Sequence, residues 1–181
     1  MTEEQLIKGC IRKDAACQRT LFQQYAGRLM TVCMRYAGDQ KEAEDILQES
    51  FINIFSNIGQ FRSEGSFEGW LKRIVVTNAL KILRRKKLPT SAINDNDETI
   101  PSIGPGILDK LSEAELLQLI SRLPEGYRIV FNLYVMEGYD HNEIAGMLDI
   151  NPGTSRSQLV KARKLLQQQI IVRFKLPNGY V

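Results

Sequence analysis

Apolar residues recur at three- and four-residue steps through most of this chain, the spacing of helices that bury one face. Leu21, Phe22, Tyr25, Leu29, Val32, Cys33 and Tyr36 make the first stripe, and Gly38-Asp39 ends it. Ala43, Ile46, Leu47, Phe51, Ile54 and Phe55 make the second, which stops near Gly59. After a loop, Gln60 to Ser66, the pattern predicts a helix over Phe67 to Lys87 with Trp70, Leu71, Ile74, Ala79, Ile82 and Leu83 on its core face. Thr2 and Gln5 have the spacing of a capping box that opens the first helix. Periodicity is lost from Leu88 to Gly106, where Pro89, Pro101 and Pro105 stand among polar residues. It resumes near Leu108 with Leu111, Ala114, Leu116, Leu117, Leu119, Ile120 and Leu123. A further helix through Val130, Phe131, Leu133, Tyr134 and Met136 should end at Gly138. No alternating run is long enough to suggest a sheet. The predicted fold is all-α, with two helical domains, 1–87 and 108–175, a flexible linker at 88–107 and a fraying tail at 176–181.

The last third predicts a helix-turn-helix. Ile144, Ala145 and Leu148 form a short stripe, with Ala145 small where a second helix would cross. Asp149 to Asn151 forms the turn. Asn151 can cap the next helix, and Pro152 suits its first position, where no N–H is needed. From Gly153 onward come Arg156, Lys161, Arg163, Lys164, Arg173 and Lys175, without one acid. A solvated helix usually mixes both signs, so a one-sided basic second helix points to a DNA groove.

Charge sharpens the picture. The net charge of +3 over 181 residues hides an uneven distribution. Lys72, Arg73, Lys81, Arg84, Arg85, Lys86 and Lys87 crowd one segment free of acids, whereas Asp39, Glu42, Glu44, Asp45 and Glu49 meet only Lys41 in another. Basic faces suit nucleic acid and an acidic face suits a protein partner. Cys10, Cys17 and Cys33 are never CxxC-spaced, and His141 is the sole histidine, so a zinc site is not expected. Free buried thiols fit a reducing compartment. Glu3 and Glu4 stand where a signal peptide would need a basic start, and no apolar run reaches the ~20 residues of a membrane span. The expectation is a cytoplasmic protein without membrane insertion. No phosphate loop, metal cluster or nucleophile–base pair is present in the sequence, so neither enzyme activity nor a cofactor is expected, and His141 is expected on the surface.

Four motifs occur in order: EAEDILQESFINIF from Glu42, FRSEGSFEGWLKRI from Phe61, LPEGYRIVFNLYVMEGYDHNEIAGML from Leu123, and NPGTSRSQLVKARKLL from Asn151. With them the chain resembles the extracytoplasmic-function sigma factors of bacterial RNA polymerase. The resemblance implies a first domain that binds the polymerase clamp and the promoter −10 element, and a second that binds the −35 element. It places Asp45, Gln48 and Glu49 on the polymerase. Phe61, Arg62, Ser63, Ser66, Lys72, Arg73, Thr77, Asn78 and Lys81 are expected at the melted −10 strand. Arg156, Ser157, Gln158 and Lys161 are expected at −35 base edges, with Thr154 and Arg163 on phosphates. Core RNA polymerase, promoter DNA and an anti-sigma factor are the implied partners.

The residue types suit those tasks. Asp45, Gln48 and Glu49, at i, i+3 and i+4, share one face, and its carboxylates fit basic partner groups. Unstacked bases need aromatic walls and nearby cations. Arg and Gln can read guanine and adenine edges. Ser155 departs from the small hydrophobic residue common in the family, and its hydroxyl either bonds an earlier carbonyl or loosens the helix pair. A linker of about 19 residues reaches roughly 60–70 Å, enough for the promoter elements that the resemblance implies, about a turn and a half of duplex or on the order of 50–55 Å apart. Two other readings of the chain are a helix-turn-helix repressor or activator that binds duplex DNA without polymerase, and, more remotely, a nuclease using the acids at Asp39 to Glu49.

Overall fold

The computed structural model describes residues 1–85 and 111–174, and all regular structure among them is helical. The chain divides into two compact units, Met1–Lys86 and Lys87–Val181. The linker expected at 88–107 and the tail expected at 176–181 lie outside the described residues, as do Lys86, Lys87 and Lys175.

The first unit contains α1 (Glu3–Ile11), α2 (Ala15–Tyr36), α3 (Gln40–Asn57), a 3-10 turn (Ile58–Gln60) and α4 (Phe67–Arg85). Side-chain caps set its boundaries. Thr2 and Gln5 form the predicted capping box, with bonds of 2.9 and 3.2 Å. Lys13, at φ 60°, turns the chain out of α1, and Asp14 accepts from the Cys17 amide at 2.8 Å to start α2. Asp39 does the same for α3 through the Glu42 amide, also at 2.8 Å. Helix α2 packs against α1, α3 and α4. Leu21, Leu29, Val32, Tyr36, Ile46, Ile54, Leu71 and Val75 are fully buried at that seam. Burial pushes the Cys10 thiol up to about 11 and the Cys33 thiol up to about 12, which makes both inert at neutral pH.

The core face of α4 differs from the expected one. Leu71, Ala79 and Leu83 are buried, but Val75, Val76 and Leu80 complete the set, while Trp70, Ile74 and Ile82 are only half-buried. Apolar residues surround this helix nearly all the way round. Their spacing alone therefore leaves its rotation undecided, and contact with α2 and α3 fixes it.

The second unit contains α5 (Glu113–Ser121), α6 (Glu125–Phe131), a π-helical segment (Asn132–Met136), α7 (His141–Leu148) and α8 (Pro152–Arg173). Ser112 and Glu115 form a capping box for α5. The stretch predicted as one helix up to Gly138 changes pitch: the Glu137 amide reaches back to the Asn132 carbonyl, and Gly138 then turns at φ 80°. The helix-turn-helix is as predicted. Asp140 caps α7, Asp149 ends it in the left-handed region (φ 57°), and Asn151 accepts from the Thr154 amide at 2.8 Å ahead of Pro152. Ser155, Leu159, Ala162, Leu166 and Ile170 are the buried residues of α8, and α8 packs on α6 and α7.

Candidate nucleic-acid and partner interfaces

The acids of α3 fall into two groups. Asp39 caps the helix, Glu42 accepts from the Gly38 amide at 2.7 Å, and Glu44 accepts from Gln40 at 2.9 Å. Asp39 and Glu42 serve the helix N-terminus, where the dipole favours them, and Glu44 is held by its i, i+4 side-chain bond. Asp45 and Glu49 form no hydrogen bond or ion pair among the described residues, and with Gln48 they are exposed. At about 100° per residue, Asp45, Gln48, Glu49 and Ile52 fall within about 100° of arc, opposite the buried Ala43, Ile46, Ser50 and Ile54. Ile52 is 66 % exposed and gives the carboxylate face an apolar centre. The sequence carried that signal, since Ile52 is out of phase with the core stripe.

The loop after α3 supplies a second surface. Arg62 and Ser63 are exposed, with Ser63 in the left-handed region at φ 57°. Phe61 packs against Phe67 at 5.1 Å between centroids and against Trp70 at 5.7 Å. Trp70 was expected in the core. Instead it is half-buried, stacked on Phe67 at 5.9 Å, and it lines two open cavities. One, about 460 Å3, lies against the loop and includes Phe61, Arg62 and Ser66. The other, about 380 Å3, lies between α3 and α4 and is lined by Asn53, Trp70, Arg73, Ile74, Thr77, Asn78 and Lys81. Arg73, Thr77 and Lys81 are exposed along it at four-residue steps.

Three expected −10 residues have other partners. Asn78 does not face outward. It is 4 % exposed and donates to the Ile46 carbonyl at 3.4 Å and to Ser50 Oγ at 3.2 Å, because α4 rotates its Val75–Ala79 side into the core. Ser66 accepts from the Gly69 amide at 3.0 Å, so its oxygen starts α4 rather than standing free for a base. Lys72 pairs with Glu68 at 2.9 Å, and Arg28 of α2 reaches the same carboxylate at 2.6 Å. Those hydrogen bonds, Lys72's first, hold the Glu68 carboxyl below its usual range.

On α8 the outward direction is set by the buried seam. Ser157, Val160, Lys161 and Lys164 lie roughly opposite it, whereas Arg156 and Gln158 sit about 160° apart on the two flanks. Arg156 and Ser157 are exposed, while Thr154, Gln158 and Lys161 are half-buried. The Gln158 amide lies beside Gly126 at the start of α6, where an added Cβ would meet it at 3.6 Å. The Ser157 hydroxyl donates to the Thr154 carbonyl at 3.0 Å. Arg163 stands 5.9 Å from the Tyr134 ring centroid, on the same flank as Arg156. Val160, 63 % exposed, is an outward apolar residue that base-edge chemistry did not single out.

Two expectations about neighbours change. His141 is not a free surface residue: its ring stacks on Tyr134 at 4.6 Å, and its Nδ1 lies 2.9 Å from Ser155 Oγ. Ser155 is fully buried and bonds this imidazole rather than an earlier carbonyl. The hydroxyl thus ties α8 to α7.

Comparison with known proteins gives consistent results. Residues 21–88 match the family description Sigma-70 region 2, and residues 113–166 match Sigma-70, region 4. The RNA polymerase sigma-H factor of Pseudomonas aeruginosa is 28 % identical over 180 residues, covering 93 % of each chain. The ECF RNA polymerase sigma factor SigE of Mycolicibacterium smegmatis is 30 % identical over 83 % of this chain and 60 % of its own length. The sigma factor RpoE of Bartonella quintana, solved with the anti-sigma factor NepR, shares the fold at a TM-score of 0.50 and 16 % identity, over 83 % of this chain and 94 % of that one. With two successive region matches in order and whole-length relatives of one kind, the chain belongs to the sigma-70 family of RNA polymerase sigma factors, in its extracytoplasmic-function group.

Proposed function

We propose that the chain works as a promoter-specificity subunit through three separate surfaces. Asp45, Gln48 and Glu49, with Ile52 at their centre, dock on basic groups of core RNA polymerase. Phe61, Arg62, Ser63 and Trp70, with Arg73, Thr77 and Lys81, hold the melted −10 strand. Arg156, Ser157, Gln158 and Lys161 meet base edges of the duplex −35 element, joined by Val160, while Thr154 and Arg163 hold phosphates. The working domains are residues 1–87 and 108–175. The chain itself is non-catalytic and acts in the cytoplasm beside the polymerase, and an anti-sigma partner restrains it by covering one of these faces.

The observation that supports this most is the sorting of charge by occupancy. The acids at the start of α3 are bound by that helix, and the two left over, Asp45 and Glu49, share one outward face. A repressor acting without polymerase has no use for that face. The test is the double change Asp45→Arg, Glu49→Arg. Affinity for core polymerase should fall about 10- to 100-fold, with stability within about 0.5 kcal/mol of the parent. Unchanged polymerase affinity in a titration sinks the docking assignment.

A further inference from the structure

His141 and Ser155 join the two helices of the helix-turn-helix, and their chemistry fixes where the imidazole keeps its hydrogen. Ser155 is 0 % exposed, and its Oγ lies 2.9 Å from His141 Nδ1. Among the described residues the hydroxyl has no other partner. If Nδ1 carried the hydrogen, the hydroxyl would accept it, and the hydroxyl's own proton would be buried without an acceptor, which costs free energy. Turning the ring over would set a carbon against the hydroxyl, with the same result. Ser155 therefore donates, Nδ1 accepts, and the imidazole carries its one N–H at Nε2. That atom has no hydrogen bond among the described residues and is not enclosed. The ring is also held by its stack on Tyr134 at 4.6 Å.

The surroundings point to what that N–H meets. His141 opens α7, the first helix of the helix-turn-helix, and in this motif the first helix crosses the DNA backbone while the second enters the groove. Tyr134, on which His141 stacks, also lies 5.9 Å from the Arg163 guanidinium, the group assigned above to phosphate. Asp140 takes the Asn142 and Glu143 amides at 2.7 and 2.8 Å, so those two donors at the helix start are spent. We propose that His141 Nε2–H donates to a backbone phosphate of the −35 duplex, as an uncharged donor whose hydrogen Ser155 holds in place. Ser155 is a positioning residue: fully buried, it does not reach the DNA and decides which ring nitrogen donates. The contact carries no base information and helps to set register. This inference rests on the −35 assignment proposed above, and it adds a donor from the other helix of the motif.

The experiment uses the full chain bound to core RNA polymerase. The probes are −35 promoter duplexes in which one phosphate at a time is replaced by an uncharged methylphosphonate. The quantity read is the ratio of affinities for the unmodified and the modified duplex, which does not depend on the fraction of protein that is folded. The parent should lose about tenfold at the phosphate that His141 meets. His141→Phe keeps a ring for Tyr134 but has no N–H, and combined with Ser155→Ala it leaves no hydroxyl unpartnered. That pair should shrink the loss about fivefold at this one phosphate, while His141→Gln, which still carries an N–H, should keep most of it. Ser155→Ala alone frees the ring to present either nitrogen, so the loss there should shrink about twofold with −35 base preference unchanged. His141→Phe should leave the salt slope of promoter binding as it is, because an uncharged donor neutralises no phosphate, whereas Arg163→Ala should reduce it by about one. Losses at every phosphate that stay the same in the His141→Phe, Ser155→Ala pair overturn the inference but not the −35 assignment. A slope reduced by His141→Phe as much as by Arg163→Ala overturns the uncharged donor. Unchanged losses in Ser155→Ala overturn its positioning role. A parent holoenzyme indifferent to every −35 phosphate and to the −35 sequence overturns the −35 assignment itself, and the inference with it.

Discussion

On the proposed assignment, the two units present opposite shapes to nucleic acid. The first offers recesses: a loop and two helices enclose cavities walled by Phe61, Trp70 and Asn53, and buried residues set the walls. The second offers a ridge. The polar side chains of α8 project from a helix whose opposite side is an apolar seam of Leu159, Ala162, Leu166 and Ile170, with Ser155 the one polar member. A recess depends on residues that never touch the ligand, since those shape its floor. A ridge depends mainly on residues that do touch it. Inward substitutions should therefore alter recognition in the first unit, and outward ones in the second.

The harshest test of the recess is Phe67→Ala. Phe67 is 1 % exposed and meets Tyr25 edge-on at 5.8 Å, Phe61 at 5.1 Å and Trp70 at 5.9 Å. Removing the ring should cost about 3–5 kcal/mol in urea denaturation and weaken −10 strand binding in whatever fraction stays folded. A cost below about 1 kcal/mol would mean that the loop aromatics do not share one core with α4.

For the ridge, single outward changes should be enough. Arg156→Ala and Gln158→Ala, on opposite flanks, should relax base preference at different −35 positions, each by about 1–3 kcal/mol of discrimination. Lys161→Ala should also shift preference. Arg163→Ala, on the Tyr134 flank, should weaken all sequences alike and reduce the salt slope by about one. The assay is transcription from promoters randomised through the −35 element at two salt concentrations. If Arg163→Ala alone moves the preferred sequence, the orientation assigned to α8 is wrong.

How much was legible in the sequence follows the same division. The turn Asp149–Asn151 and its proline are local chemistry, so the helix-turn-helix could be read outright. The acidic face of α3 could be read too, because three- and four-residue spacing fixes what shares a side. The facing of α4 could not. Its apolar residues nearly encircle the helix, so Asn78 looked as outward as Thr77, and Trp70 looked more inward than Val75. Nor could Ser155 and His141 be paired, since a bond between residues 14 apart exists only once α7 and α8 are packed. Buried polar partners are tertiary facts, and spacing along a single helix does not reveal them.

A smaller effect probes the polar tie beneath the ridge. Ser155→Ala removes the bond to His141 Nδ1 beneath α8 and should cost about 0.5–1.5 kcal/mol in a thermal melt. The outward side chains stay in place, so −35 base preference should be unchanged. A shifted preference would show that the ridge, like the recess, is tuned from below.

The smallest effect belongs to the ionic tie beside the recess. Glu68 accepts from Lys72 at 2.9 Å and Arg28 at 2.6 Å, joining α4 to α2. The two cations are 38 % and 63 % exposed, so solvent screens the pairs, and Glu68→Gln should cost less than about 1 kcal/mol at pH 7. The sign with pH follows from the direction of the shift. The folded carboxyl titrates below its ordinary 4.5, so the stabilisation is fully present above that value. It disappears as pH falls through the lowered folded value, where parent and Glu68→Gln should melt alike. Denaturation of the parent and of Glu68→Gln from pH 7 down into the acid range reads this tie. A Glu68→Gln deficit that stays constant throughout would mean that shape, not charge, holds α2 to α4 at this point.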